Sequence, residues 1–358
     1  MSDAQLQEEE KKLAEEIAEP QQEKAPPTDI VVLNEQRSCA DILRLKQKEH
    51  IDINPEFQRE EVWSNANKTR FIDSLTKEVP IPSMCFGFDY KTDKRIVIDG
   101  LQRISTIVKF LSEDDWQLSQ LKDIDASLSG KSVGEIKRAN PTLFSRVENL
   151  TLPITVLRCD FNRDDHMEYI YNIFFRLNTG GLKLNAQEIR NCIYIGDFNK
   201  LLSDLRHYHG FTTLLKLTDQ SSYRLKWEEL VLRFFAFFDS YQAYTGSLAS
   251  FLNDYMKSNR KLSSEKIEEK KKLFISVVDF INSRKDAFTI PASKAALEAL
   301  LIGIAKNLLT ISSLSTDQLR EKTGRFDSEI TNSSELMQGT AQKAKVLTRI
   351  GKSIEIFG

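Results

Sequence analysis

The chain has 358 residues, of which 41% are hydrophobic and 28% are charged, and its formal net charge is −2 at pH 7. This composition is typical of a soluble globular protein with room for two domains. It excludes a strongly basic protein whose whole surface would attract nucleic acid. No run approaches the roughly 20 apolar residues of a membrane span, and the N-terminus lacks the pattern of a signal peptide. We therefore expect a cytoplasmic protein with no membrane partner.

Charge is distributed unevenly along the chain. Residues 1–29 contain nine acidic and three basic side chains. They offer little apolar surface to offset the entropy of ordering, so we predict a disordered acidic tail over 1–29. The remaining residues hold 47 basic against 43 acidic side chains, an excess that permits a local basic groove but does not require one.

Residues 30–160 mix short strands with amphipathic helices. Apolar runs bounded by turn residues predict strands at Ile30–Leu33, Ile51–Ile53, Met84–Phe88, Arg95–Ile98 and Leu152–Leu157. Apolar residues at helical spacing predict helices at Cys39–Leu45, Asn65–Lys77 and Leu101–Leu111. Ser38 is a suitable N-cap for the first of these helices.

After residue 160 the pattern becomes helical. Helices are predicted at Asp164–Leu177, Ala186–Ile195, Trp227–Tyr241, Lys266–Asn282, Ala292–Leu309 and Gln342–Phe357. The predicted fold class is therefore α+β, with an α/β domain over residues 30–160 followed by a mainly α-helical domain over 161–358.

The strongest local motif spans Arg95–Leu111, where a buried strand ends at Asp99 and a helix begins just after Gly100. Glycine tolerates the positive φ of a sharp turn, and the free N–H groups of a helix start favour an anion. Arg103 could pair with a phosphate, and Asp99 could hold Mg²⁺ or orient a water. The first turns of the helix also carry Gln102, Ser105 and Thr106. An ordinary Asp-Gly turn with a surface Gln and Arg is the alternative.

A second motif is the segment Asn54–Ser64, in which Gln58 and Arg59 lie between two aromatic residues, Phe57 and Trp63. This arrangement suits a site in which a charged side chain is held against packed aromatic rings. A structural loop would have the same sequence, so the segment alone is a weak signal.

The third motif begins at Arg176, continues through Asn178 and Thr179, and ends in the double glycine of Gly180 and Gly181. The glycines are typical of a tight helix C-terminus, and a helix–turn–helix corner explains them by itself. It does not explain why an arginine, an asparagine and a threonine cluster there. The next helix has Asn185 as a candidate cap and Glu188 at the capping-box position.

Several common signatures are absent from the sequence. The segments Gly130-Lys131-Ser132 and Gly351-Lys352-Ser353 resemble the end of a P-loop, but each lacks the earlier glycine. The four histidines lack partners at metal-ligand spacing, so we expect no zinc site. The four cysteines, Cys39, Cys85, Cys159 and Cys192, are far apart among apolar neighbours, which predicts buried free thiols.

Taken together, the three motifs resemble the family that forms the N-terminal domain of GmrSD-type restriction enzymes, whose fold is ParB/sulfiredoxin-like. The family pattern is a QR-x-x-x-W segment, a strand-borne DGQQR followed by S/T-T, and an F-x-R-L-N-T-G-G segment before a helix. The matching positions here are Gln58, Arg59 and Trp63; Asp99, Gly100, Gln102, Arg103, Ser105 and Thr106; and Phe174, Arg176, Leu177, Asn178, Thr179, Gly180 and Gly181.

The resemblance implies a ParB/sulfiredoxin-like domain that binds a nucleotide, with hydrolysis in several members, and that acts in defence against foreign DNA. Related ParB-like proteins bind CTP at the equivalent turn. By this resemblance, Arg59, Arg103 and Arg176 contact phosphates, supported by Gln58, Gly100, Ser105, Thr106, Asn178 and Thr179. Asp99 binds Mg²⁺, and Gln102 orients the attacking water.

Two departures from the family pattern affect the expected activity. The usual middle glutamine of the turn is Leu101 here, which predicts nucleotide binding with weaker hydrolysis. Many members carry an HNH nuclease domain, which needs histidines, and this chain has none beyond His209. We therefore expect any DNA cleavage to come from a nuclease or other defence subunit in trans, or from the ParB-like domain itself.

The leading hypothesis is a nucleotide-binding, NTP-hydrolysing module of a DNA restriction or anti-phage system, using an NTP and Mg²⁺. The alternatives are a ParB-like DNA-binding protein without turnover, a metal-dependent nuclease, and a purely structural adaptor. DNA and a second copy of the chain remain candidate partners. The sequence does not distinguish among the nucleotides.

Overall fold

A computed structural model describes residues 26–53, 63–177, 186–217 and 226–358. The chain forms two compact units, and it passes from one to the other between Ile193 and Tyr194. We call the described residues up to Ile193 the α+β unit and those from Tyr194 onward the helical unit.

The α+β unit is built on one five-stranded sheet. Its strands are β1 (Val31–Ser38), β2 (Ile51–Asp52), β3 (Met84–Asp89), β4 (Lys94–Asp99) and β5 (Thr151–Cys159). Their order across the sheet is β1-β5-β3-β4-β2. The β1–β5 and β3–β4 pairs are antiparallel, whereas β3–β5 and β2–β4 are parallel, so the sheet is mixed.

Seven helices accompany this sheet among the described residues. They are α1 (Cys39–Gln47), α2 (Asn65–Thr76), α3 (Leu101–Ser112), α4 (Val133–Ala139), α5 (Pro141–Asn149), α6 (Asp164–Leu177) and α7 (Ala186–Ile193). Local chemistry fixes several helix starts. Ser38 and Asp41 form a capping box at α1, and Ser132 and Glu135 form another at α4, each satisfying two backbone N–H groups. Proline, which lacks an N–H, occupies the first position of α5.

Helices lie on both faces of the sheet. On one face, a core of strand residues such as Phe86 and Ile154 packs with helix residues such as Ile72 and Ile107. On the other face, α6 packs against β4. Gly87 allows this close approach, because a Cβ there would lie 3.0 Å from the Ile96 side chain and 3.6 Å from that of Ile170.

The helical unit is described from Tyr194 to Leu217 and from Lys226 to Gly358. Its helices are α8 (Asp197–Arg206), α9 (His209–Leu214), α10 (Lys226–Ser240), α11 (Leu248–Asn259), α12 (Ser264–Ser283), α13 (Lys294–Ile311), α14 (Thr316–Phe326), α15 (Ser334–Met337) and α16 (Lys343–Phe357). A π-helical turn over Asp327–Thr331 continues α14. Helices α10 and α13 are buried along most of their length, and no described helix is long and apolar enough to cross a bilayer.

A buried ion network joins three helices of this unit. The carboxylate of Glu298 on α13 lies 2.6 Å from Arg233 of α10 and 3.6 Å from Arg349 of α16. All three side chains are almost completely buried. Charges removed from water in this way are tolerated only when they are paired, so Glu298 is the common counter-charge that allows two arginines into this core.

The predicted α+β class with a helical C-terminal part is confirmed. The four cysteines are free and buried, as predicted. Helices α4 and α5 were not predicted, because both are short and their starts depend on caps rather than on a long apolar stripe. The more specific ParB/sulfiredoxin-like resemblance remains a prediction.

Two boundaries differ from the sequence predictions. The α+β unit extends to Ile193 rather than to residue 160, because α6 and α7 pack against β4. At the other end, Asp29 is not part of a solvated tail. Its carboxylate pairs with Arg163 and lies 3.1 Å from Nε2 of the buried His166. Residues 1–25 of the predicted tail lie outside the described residues.

Candidate functional site

The turn between β4 and α3 has the geometry that the sequence predicts. Strand β4 ends at Asp99, and α3 begins at Leu101. Gly100 between them has φ +98°, and a Cβ at this position would lie 2.6 Å from Cγ of Met84. Both the left-handed backbone and the close contact with β3 therefore require glycine.

The start of α3 presents backbone donors that the helix itself does not use. The N–H of Ile104 donates to the Gly100 carbonyl at 2.9 Å, which is the first hydrogen bond of the helical ladder. No side chain caps this helix start. The N–H groups of Leu101, Gln102 and Arg103 therefore precede the ladder, at the positive end of the helix dipole, where an anion is favoured.

Arg103 is held against the turn by two groups. Its Nη2 lies 2.6 Å from Oδ2 of Asp99, and its Nη1 donates to the backbone carbonyl of Pro82. The Arg103 side chain is 14% exposed and that of Asp99 is 45% exposed. The guanidinium is thus fixed in orientation while the carboxylate remains accessible to solvent.

Gln102 connects this turn to the second sequence motif. Its side-chain Oε1 accepts a hydrogen bond from the backbone N–H of Trp63 at 3.4 Å. The Trp63 ring packs edge to face on Phe71 of α2, with ring centroids 5.4 Å apart, and stays half-buried. The tryptophan of the QR-x-x-x-W motif therefore lies beside the first turn of α3.

Ser105 and Thr106 occupy different environments. Ser105 is half-buried on α3. Thr106 is fully buried, and its hydroxyl donates to the Gln102 carbonyl at 2.7 Å. The Thr106 hydroxyl is therefore engaged by a carbonyl of its own helix, which argues against its predicted contact with a phosphate.

Helix α6 runs along the sheet toward the end of β4 that leads into the Gly100 turn, and Arg176 is close to the C-terminus of this helix. The helix starts beside the β3–β4 hairpin, where Lys91 pairs with Asp160 at 2.7 Å, and Ile170 lies over Gly87, whose strand partner is Ile96. From Ile170 to Arg176 a helix advances by about 9 Å, and from Ile96 to Asp99 a strand advances by about 10 Å. Arg176 is therefore level with the Asp99 end of β4.

Four of the predicted site residues lie outside the described residues, namely Gln58, Arg59, Asn178 and Thr179. Asn185, the candidate cap of the following helix, also lies outside them. The turn at Gly100 is consequently the part of the predicted site whose geometry is known in detail.

The turn has one carboxylate suited to a metal, that of Asp99. No cluster of three or more histidine, cysteine, aspartate or glutamate side chains that could hold a metal ion occurs in the described parts of the chain. Mg²⁺ is commonly held by one or two carboxylates together with substrate phosphates. A single exposed aspartate beside a helix start that favours anions fits that mode, whereas it would not form an all-protein metal site.

Helix α7 holds polar residues whose burial the sequence does not reveal. Arg190 is completely buried, and its Nη1 donates to Oε1 of Gln187 at 3.2 Å. Gln187 in turn donates to Asn191 at 3.0 Å. Because polar residues on a short helix are typical of a solvent-facing side, periodicity alone predicts exposure. Their burial and the contact of α7 with β4 are tertiary features.

The two P-loop-like segments have ordinary structural roles. Ser132 caps α4, and Gly351 lies within α16. Neither segment forms a strand–loop–helix unit of the kind that binds phosphate in P-loop proteins.

Comparison with known families agrees with the motif-based prediction. The family model described as GmrSD restriction endonuclease, N-terminal domain, matches residues 40–195. No curated protein matches the chain. The matched region contains all three sequence motifs and covers most of the α+β unit. Residues 40–195 of this chain are therefore similar to the N-terminal domain of GmrSD restriction endonucleases.

Proposed function

We propose that the α+β unit binds a nucleoside triphosphate at the Gly100 turn, and that the chain serves a restriction or anti-phage defence system. The observation that carries the nucleotide proposal is the combination of free N–H groups at the α3 start with an arginine fixed beside them by Asp99 and Pro82. The defence role is inferred from the matched family, which is described as a restriction endonuclease domain.

In this proposal the phosphates lie against the start of α3, where backbone donors and the helix dipole favour negative charge. The guanidinium of Arg103 contacts a phosphate with the N–H groups that face away from Asp99 and Pro82. Arg176 approaches from the end of α6. Fixed donors cost little reorganisation when charge develops on a phosphate, which is the main source of catalysis in phosphoryl transfer.

Asp99 would hold a magnesium ion, which would supply positive charge to offset that of the phosphates. The Oδ2 atom of Asp99 accepts from Arg103, while Oδ1 has no hydrogen-bond partner among the described residues. Asp99 can therefore orient the arginine and contact a metal at the same time, which couples the two phosphate-binding groups.

Trp63 is the group best placed to contact the base. Its backbone N–H is anchored to Gln102, and its ring retains solvent exposure beside the phosphate-binding turn. An aromatic ring can stack on any nucleobase. This role would explain why a tryptophan, rather than an aliphatic residue, packs on Phe71 here.

Hydrolysis requires a positioned water, and Gln102 is the side chain of this turn that could orient it. The Gln102 amide already accepts from Trp63. Leu101 is partly buried against the core and cannot orient a water. We therefore expect tight binding with slow turnover. A Leu101→Gln variant should raise the turnover rate without changing nucleotide affinity.

Calorimetric binding and phosphate-release assays on the full chain test the proposal. ATP, GTP and CTP would be compared with and without Mg²⁺, in the wild type and in Arg103→Ala. The expected result is at least tenfold weaker binding in Arg103→Ala, since a charge-assisted bidentate contact is lost. Arg146→Ala is a matched control, because Arg146 is an exposed arginine of the same unit with weak partners.

Loss of binding in Arg103→Ala with an unchanged melting temperature would support the site. Equal affinities in Arg103→Ala, Arg146→Ala and wild type would overturn it. Binding without turnover would retain nucleotide sensing and reject hydrolysis. The cleavage of foreign DNA is assigned in this proposal to a nuclease partner in trans.

A further inference from the structure

A row of five residues, one from each strand, crosses the sheet at the end where β3 turns into β4. In spatial order the row is Val31, Arg158, Phe88, Arg95 and Ile51. Side chains paired directly across neighbouring strands point to the same face. Two arginines therefore alternate with an aromatic ring on one face. This end of β4 is about 17 Å from the Gly100 turn.

The arginines of the row are stacked on aromatic rings. Cζ of Arg95 lies 4.3 Å from the centre of the Phe88 ring, and Cζ of Arg158 lies 4.2 Å from that of Tyr90. The backbone N–H of Tyr90 donates to the Cys159 carbonyl at 3.2 Å, which holds the residue beside β5. The Tyr90 side chain is nevertheless 42% exposed. Arg158 and Tyr90 thus form a preorganised pair with an accessible ring.

The acidic groups at this end are already engaged by other partners. Asp93 pairs with Arg95 and with His50, and Asp160 pairs with Lys91. The buried Asp89 accepts hydrogen bonds from the β3–β4 turn itself. Asp93 and Asp160 thus have basic partners of their own, whereas the partners of Asp89 are hydrogen-bond donors within the turn.

Four cations at this end have no carboxylate within ion-pair distance among the described residues: Lys46, Lys48, Lys94 and Arg158. The first two are at the end of α1, which leads directly into β2 and so terminates beside Arg95. Among the described residues, Lys94 donates to the backbone carbonyl of Glu49. Glu49 and Asp93 carry exposed carboxylates at this end, and the four cations without carboxylate partners lie along the same end of the sheet as the Arg158–Tyr90 pair.

We infer that this surface, which we call the hairpin-end surface and define by Lys46, Lys48, Tyr90, Lys94 and Arg158, binds single-stranded nucleic acid. Unpaired bases stack on exposed aromatic rings, and stacked arginines strengthen that contact. The lysines contact the phosphates. Duplex bases are already stacked on one another, so an exposed ring favours a single strand. The inference goes beyond the proposed nucleotide site and does not depend on it.

The test is fluorescence anisotropy with the full chain and a fluorescein-labelled oligothymidylate of about 20 nucleotides. Binding should weaken as salt rises, because phosphate contacts release counterions. Tyr90→Ala should weaken binding by about 5- to 100-fold, whereas Tyr90→Phe keeps the ring and should retain the affinity. Arg158→Ala should weaken binding and lower the salt slope by about 0.7.

Controls separate this surface from other sites. Lys272→Ala, at an exposed lysine of the helical unit, should leave binding unchanged. Absence of oligothymidylate binding by the wild type would overturn the inference. Equal affinities for Tyr90→Ala and Tyr90→Phe would also overturn it. Displacement of the oligonucleotide by polyglutamate as readily as by unlabelled oligothymidylate would overturn it as well, and would indicate an acidic protein partner instead.

Discussion

Nη2 of Arg103 lies 2.6 Å from Oδ2 of Asp99, across the single glycine that separates strand β4 from helix α3. The two residues are four positions apart, yet one ends a strand and the other belongs to the first turn of a helix. The left-handed Gly100 turns the chain so that they meet. The phosphate-binding arginine and the metal-binding aspartate of the proposed site are therefore coupled.

This coupling predicts the behaviour of Asp99→Asn. Removal of the carboxylate charge should abolish the effect of Mg²⁺ on ATP affinity. Affinity without Mg²⁺ should be retained or rise by about two- to fivefold, because Arg103 loses a competing ion pair worth up to about 1 kcal/mol. Calorimetric titrations with and without Mg²⁺ measure both effects. Asp93→Asn, which alters the hairpin instead, is the control; an undiminished Mg²⁺ effect in Asp99→Asn would contradict the assignment.

The proposed base contact of Trp63 predicts different responses to two ligands. Trp63→Ala should weaken ATP binding by about 5- to 100-fold, the range expected for loss of one stacked base. Binding of inorganic tripolyphosphate, which has no base, should be unchanged. Trp63→Phe retains a ring on Phe71 and should keep most of the ATP affinity. If the wild type binds neither ligand, the nucleotide site itself is wrong; if Trp63→Ala weakens both ligands equally, only the stacking role is wrong.

The buried ion network of the helical unit predicts a large effect of Glu298→Gln on stability. The substitution keeps the shape of the side chain but leaves Arg233 and Arg349 without their common counter-charge. Breaking a buried pair from one side typically costs about 3–5 kcal/mol. Urea unfolding followed by circular dichroism should show a free energy of unfolding of the helical unit that is lower by this amount. Glu329→Gln, at a partly exposed glutamate with longer ion-pair contacts, should cost less than about 1 kcal/mol.

The position of Lys294 predicts a difference in stability between the wild type and Lys294→Met that depends on pH. Burial lowers the pKa of Lys294 from 10.5 to about 8, and the charge of Glu229 opposes this shift. Between about pH 8 and 10.5 the unfolded chain binds more protons at this group than the folded chain does, so its contribution to stability rises with pH. Below pH 8 the charged ammonium is buried at a cost.

Lys294→Met should therefore be more stable than the wild type near pH 7, and the difference should shrink as the pH approaches 10. Thermal melts of both proteins across this range measure the difference directly, so that other titrating groups cancel. A difference that stays constant with pH would mean that the Lys294 ammonium is not desolvated in the folded protein.

The sequence by itself determined the features that depend on neighbouring residues. The end of β4, the need for glycine at position 100 and the start of α3 follow from a buried strand, one residue without Cβ and an apolar helical stripe. The N-terminal cap of α1 at Ser38 also depends only on residues that are neighbours in the sequence. The order of the three motifs also predicted the similarity to the GmrSD N-terminal domain over residues 40–195, because their residues and spacing together are more specific than any one of them.

The tertiary structure decided the features that depend on residues far apart in the chain. The contact of Gln102 with Trp63, the burial of Arg190 and the extension of the α+β unit to Ile193 follow from helices packed on the sheet. The pairing of Arg158 with Val31 and Phe88 follows from the strand order, which joins β5 to both β1 and β3. Sequence periodicity shows which side of a strand or helix is apolar, but it does not show which element covers that side. The free energy that selects the partner comes from the packing of the whole unit.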